Sequence, residues 1–286
     1  MDLLKQIKWV QVIRAVCLLV LLYSLYMVVS MVKDRVVNAQ SYEDTRKLYE
    51  LDKRAATDDV EDVKSLESTP ALSEPPVKLH PVVQESVALP NKQAPHKEAA
   101  PPENTFANLK KANKDFVGWI HIRDTNIDYP VVQTSDNEYY LNHNFRKSEN
   151  IGGAIFMDYR VKLDSPSRNT IIYGHHMKDG SMFTDLLKFL KQDFYEDHPV
   201  ISLEMLDGEE TSWEIFSAYI TNTEFNYIIP DFETDKEYDS FLKSIKRKSV
   251  IKPDVKVTKS DRIITLSTCS YSIKDGRMVV HARKKE

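Results

Sequence analysis

The sequence predicts a mostly β fold, an eight-stranded barrel with a few peripheral helices, preceded by a transmembrane helix and a disordered tether. Three observations predict it. Eight short runs rich in β-branched and aromatic residues, separated by polar turns, crowd the C-terminal two-thirds of the 286 residues. All seven glycines lie between Gly118 and Gly276, whereas eight of the thirteen prolines lie between Pro70 and Pro102. Eighteen residues from Ala15 to Val32 carry no charge.

That apolar run, as a helix, is roughly 27 Å long, close to the thickness of a bilayer core. Lys5, Lys8 and Arg14 precede it, which places residues 1–14 in the cytoplasm and the rest outside, although Lys33 and Arg35 reduce the asymmetry. The reading is a single-pass signal anchor at the cell membrane over 15–32. Val37-Asn38-Ala39 keeps a cleaved signal peptide as the alternative. Residues 33–103 follow as a juxtamembrane helix and a tether. Tyr42–Ala56 mixes both charge signs around Leu48 and Leu51 and predicts a short polar helix. Thr57–Glu103, with scattered Pro, Glu, Lys and Ser, lacks the apolar surface to offset its ordering entropy and reads as a flexible spacer that lets the head work away from the bilayer.

The head spans 104–286. It opens with a helix from the Asn104-Thr105 cap to Lys114, followed by strands near 116–122, 127–133, 153–158, 169–173, 199–206, 211–221, 261–268 and 277–283. Helical stretches fall near 136–142, 182–191 and 235–247, the last with Tyr238, Phe241, Leu242 and Ile245 at helical spacing. Many strands with few helices favour closure, because a barrel leaves no exposed edge.

A net charge of −4 with interspersed signs gives no electrostatic footprint for nucleic acid. Two cysteines cannot build a disulfide framework, no Cys/His spacing resembles a metal site, and no cofactor is implied. Cys269, at the end of Arg262-Ile263-Ile264-Thr265-Leu266-Ser267-Thr268-Cys269, has no partner in the head. Facing an oxidising exterior, it is an intermolecular cross-link, an inert core thiol or a nucleophile. Its neighbours are hydroxyls, where an inert thiol would sit among aliphatics. Nucleophilic thiol chemistry needs a group that moves a proton. His175 and His176 follow the strand Thr170-Ile171-Ile172-Tyr173 and Gly174, a turn position, and at most one of such a pair faces the thiol. Arg277 opens the last strand, and pairing of the last two strands as a hairpin would bring its guanidinium to Cys269 as an oxyanion donor.

The segments TLSTC, GRMVVHA and IIYGHHMKDGSMF, in this order of roles and with this spacing, resemble the sortases of Gram-positive bacteria, most closely class B. The resemblance covers roughly 104–286. It implies an eight-stranded sortase-type barrel, with Cys269 as nucleophile, His175 as acid/base, Arg277 as the third catalytic group and Ser267 as a contact to the substrate backbone. It further implies a cysteine transpeptidase that cuts the C-terminal sorting signal of a secreted protein, of NPxTx or a related kind. The new carboxyl end then passes through a thioester to a peptidoglycan precursor amine. A hydrolytic cysteine peptidase and a pilin-polymerising class B enzyme are the alternatives.

Overall fold

The computed structural model describes residues 2–66, 106–165 and 167–285. Its centre is a closed barrel of eight strands: β1 (Phe116–His121), β2 (Asp128–Val132), β3 (Ile155–Met157), β4 (Asn169–Tyr173), β5 (Val200–Met205), β6 (Glu210–Thr221), β7 (Ile263–Ser270) and β8 (Gly276–Lys284). They close in the order β1-β2-β3-β4-β7-β8-β6-β5. The pairs β2/β3 and β4/β7 are parallel and the others antiparallel. All eight strands coincide with runs expected from the sequence.

Strand β7 does not alternate between buried and exposed residues: Ile263 to Thr268 are all buried. The reason is that both of its faces are covered. One face lines the barrel core with Ile264 and Leu266. The other lies under the crossover between β6 and β7, where α4 (Asp235–Lys248) packs Tyr238, Phe241, Leu242 and Ile245 against Phe216, Tyr219, Ile263 and Val279. Strands sandwiched in this way lose the period-2 signal. Helix α4 is locally well specified: the Thr234 hydroxyl accepts from the Glu237 N–H, and Lys246, Arg247 and Lys248 complement the C-terminal end of the dipole.

The smaller helical stretches also appear, as 3-10 helices over Tyr139–Leu141 and Thr184–Leu190, with α3 (Gln192–Asp197) continuing directly after the second.

The N-terminal half departs most from expectation. A single helix, α1, runs from Asp2 to Leu66, ten residues into the stretch read as spacer; residues 67–105 lie outside those described. Its first part is exposed and long and apolar enough to cross a membrane. Its later part packs on the barrel. Tyr42, Thr45 and Asp52 are buried and Tyr49 is half-buried, a spacing of three, four and three residues that forms one helical face. Of the apolar marks visible in the sequence, Leu48 joins that face, partly buried against the core, whereas Leu51 is exposed. Tyr49 stacks on Trp119 at 4.2 Å and donates to Glu204. Lys53 pairs with the same buried carboxylate and Arg46 with Asp128.

Helix α2 (Ala107–Ala112) is shorter than the expected 104–114, and the proposed Asn104-Thr105 cap lies outside the described residues. The cap comes instead from α1. The Asp52 carboxylate accepts the N–H groups of Asn108 and Leu109, each at 3.1 Å, so one helix closes the orphan donors of another.

Candidate active site

Cys269 lies inside β7 as its penultimate residue, not beyond the strand end, and its register partner on β8 is Arg277. The hairpin is turned by a short loop in which Asp275 adopts the left-handed conformation (φ 51°). Thr265, Ser267 and Cys269 project to the same face of β7 by the period of the strand. The two ends are therefore rigidly paired before any substrate is present. Cys269 is a free, half-buried thiol. The Arg277 guanidinium donates to the Gly276 carbonyl at 3.0 Å and forms no salt bridge among the described residues, which leaves its remaining donors for another acceptor.

His175 stands two residues past β4, the strand that runs parallel beside β7. Gly174 before it does not use the left-handed conformation open to glycine. The constraint is space: a Cβ there would collide with the Ile155 side chain and the Phe183 ring. The His175 Nε2 lies 2.7 Å from the Leu141 carbonyl. A carbonyl only accepts, so the imidazole carries a proton on Nε2 and keeps Nδ1 for exchange. His176 turns away, bridging to Met182 and packing its ring on Tyr271.

A cavity of about 400 Å³ gathers these groups, with His175, Cys269, Arg277 and Ser267 all on its wall. The Ser267 hydroxyl lies 2.9 Å from that of Tyr227, a buried residue of the loop after β6. Burial pushes the Tyr227 phenol up, opposed by the Ser267 hydrogen bond and the Arg277 charge. Tyr173, the register partner of Ser267 on β4, and Asn137 are held by Asp158, which accepts from Asn137 Nδ2 and the Tyr173 hydroxyl. Burial raises the Asp158 pKa, but hydrogen bonds from Arg160 and Tyr173 outweigh it and hold the carboxyl below its ordinary range. The pocket therefore has a charged, proton-moving end and a wall of fixed polar groups, the usual form of a small-ligand site. Thr268, beside the thiol, is buried with its hydroxyl unpartnered among the described residues. No group of three His, Cys, Asp or Glu suited to a metal occurs among the described residues.

The four residues named from the sequence line one cavity, whose wall also holds Asn137, Tyr173 and Tyr227. Tyr173 had a signal, since it ends the strand that delivers His175. Asn137 and Tyr227 had none, because irregular loops carry no periodicity.

The family model for the sortase domain matches residues 120–285. This chain belongs to the sortase family. It is 48% identical over 179 residues to Sortase B of Listeria monocytogenes, an alignment covering 62% of this chain and 72% of the relative. It is 47% identical over 190 residues to Sortase B of Staphylococcus aureus, covering 66% and 77%. A solved Staphylococcus aureus sortase B–substrate complex superposes with a TM-score of 0.61 at 47% identity, covering 64% of this chain and 85% of that one. The chain is thus a sortase of class B, a family of cysteine transpeptidases, and the closed eight-stranded barrel is the fold of those relatives. In a sortase of this class the cavity that holds Cys269 is the natural place to look for the reacting atoms.

Proposed function

We propose that the chain is a membrane-anchored transpeptidase that cuts a C-terminal sorting signal of secreted proteins and joins them to a peptidoglycan amine. The observation that carries this reading is the convergence of Cys269, His175 and Arg277 on one cavity, with the thiol and the guanidinium as cross-strand partners. The Cys269 thiolate attacks the carbonyl carbon of the scissile threonine, forming a C–S bond and a tetrahedral oxyanion. Arg277 donates to that oxyanion, whose charge is best met by donors already in place. Collapse breaks the C–N bond, and protonated His175 gives its proton to the departing amine, leaving a thioester. An acceptor amine then attacks the thioester and returns a proton to His175 as the thiolate leaves. Ser267 and Tyr227, along the wall, contact the substrate backbone. The apolar part of α1 anchors the enzyme, its catalytic domain outside the cell.

The test supplies the full-length chain in detergent with an NPxTx-type peptide, with and without a peptidoglycan-derived amine. An amide product that depends on the amine and on Cys269 is expected. Hydrolysis alone with every wall amine offered would replace this reading with that of a peptidase.

A further inference from the structure

Two loops meet behind the imidazole of His175. One precedes β3 and carries Gly153 in the left-handed conformation (φ 57°). It is pressed against the 3-10 helix: a Cβ on Gly153 would clash with the Tyr140 carbonyl and stand 2.8 Å from the Leu141 carbonyl and 3.1 Å from His175 Cδ2. The Leu141 oxygen is the same atom that accepts from His175 Nε2. The other loop runs from His175 to Phe183. It is closed by the Phe183 N–H donating to the His175 carbonyl at 2.9 Å and by the bridge between His176 and Met182. Met182 is buried and not a glycine, yet it takes φ 59°. A bulky residue keeps such a conformation only where its surroundings over-determine it.

One residue of α1 reaches both loops. The Tyr42 hydroxyl donates to the Gly153 carbonyl at 2.9 Å. The Tyr42 ring sits edge-on to Tyr129 at 5.2 Å, and the Tyr129 hydroxyl accepts the N–H of Met182 at 2.9 Å. Burial pushes both phenols up, so Tyr42 retains the proton it donates.

We propose that α1 is a working part of the active site, with Tyr42 and Tyr129 as positioning residues that set the imidazole of His175. Tyr42 acts through Gly153 and the Leu141 carbonyl, and Tyr129 acts through Met182. The proposal rests on the reading of His175 as the acid/base.

The experiment uses the full-length chain in detergent and the variants Tyr42→Phe, Tyr129→Phe, their double and His175→Ala. Each phenylalanine keeps the ring packing and removes only the hydroxyl, and rates are normalised to the titre of alkylatable Cys269 in folded protein. With the NPxTx-type peptide and a wall amine, the double variant is expected to lose about tenfold in kcat with little change in KM. The histidine limb of its pH–rate profile is expected to move. The single variants are expected to show smaller shifts in the same direction. Unchanged kcat and pH profile in all three phenylalanine variants, with His175→Ala inactive, overturn the positioning role alone. So does a loss that merely tracks the folded fraction or raises KM. Full activity in His175→Ala overturns the acid/base reading and the positioning role with it.

Discussion

A chain of hydrogen bonds with a fixed direction runs from the barrel wall to the loop that covers the cavity. Thr265 donates its single proton to Asn169 Oδ1, so it must accept from His281 Nδ1, and His281 Nε2 in turn accepts from the Tyr219 hydroxyl. Asn169 then donates to the Ile229 carbonyl. With a neutral histidine every donor in the chain has an acceptor, and complete burial pushes the His281 pKa down to about 3. An unfolded chain would bind a proton at about pH 6.5 that the folded one refuses. Stability is therefore intact above that pH and is lost as pH falls toward 3, by at most about 1.4 kcal/mol per pH unit. Urea midpoints of the full-length chain between pH 4 and 7 are expected to show this slope and His281→Gln to flatten it; equal slopes would place the acid sensitivity elsewhere. Arg277 makes the complementary catalytic prediction. Replacement by alanine removes the proposed oxyanion donor without emptying the core, and kcat is expected to fall about 10² to 10³-fold while the protein still melts cooperatively. At this scale Cys269, His175 and Arg277 were legible because each sits at a strand boundary within a compact motif. Tyr42 was not, since its hydrogen-bond partner lies 111 positions away.

Elements borrow their ends from one another. The carboxylate that caps α2 belongs to α1, so Asp52→Ala is expected to cost about 1–2 kcal/mol in chemical denaturation. Replacing Asn108, whose side chain also reaches Asp52, is not expected to expose the backbone donors and should cost less. Gly174→Ala tests a packing constraint at the end of β4: its methyl would push Ile155 and Phe183 aside, and a loss of kcat larger than the loss of stability is expected. The strands and α4 were readable because β-branched runs and a 3.6-residue apolar stripe are local signals. The docking face of α1 was unreadable for the opposite reason. Apart from the partly buried Leu48, that face is polar or aromatic: Asn38, Tyr42, Thr45 and Asp52 are buried and Tyr49 half-buried, residues that look solvated until the partners they meet are known.

For the molecule as a whole, the unbroken helix joins the apolar segment to the barrel. Tyr49→Ala removes the stack on Trp119 and the bond to Glu204 together and is expected to destabilise the full chain by about 3 kcal/mol, read as a lower urea midpoint at unchanged slope. The same continuity sets a height. From Val32, where the uncharged run ends, to Asn38, which is already buried against the Gly152 loop, there is only about 9 Å of helical rise. A spacer that let the head roam would make it sample a volume; with the apolar segment in a bilayer, as proposed, a helix clamped to the barrel would confine it to a thin layer over the lipid. A substrate retained in the same bilayer would then be found by lateral search in two dimensions, with orientation already fixed. Inserting two helical turns between Val32 and Asn38 is expected to leave turnover of a free peptide unchanged and to slow that of a substrate retained in the same vesicle.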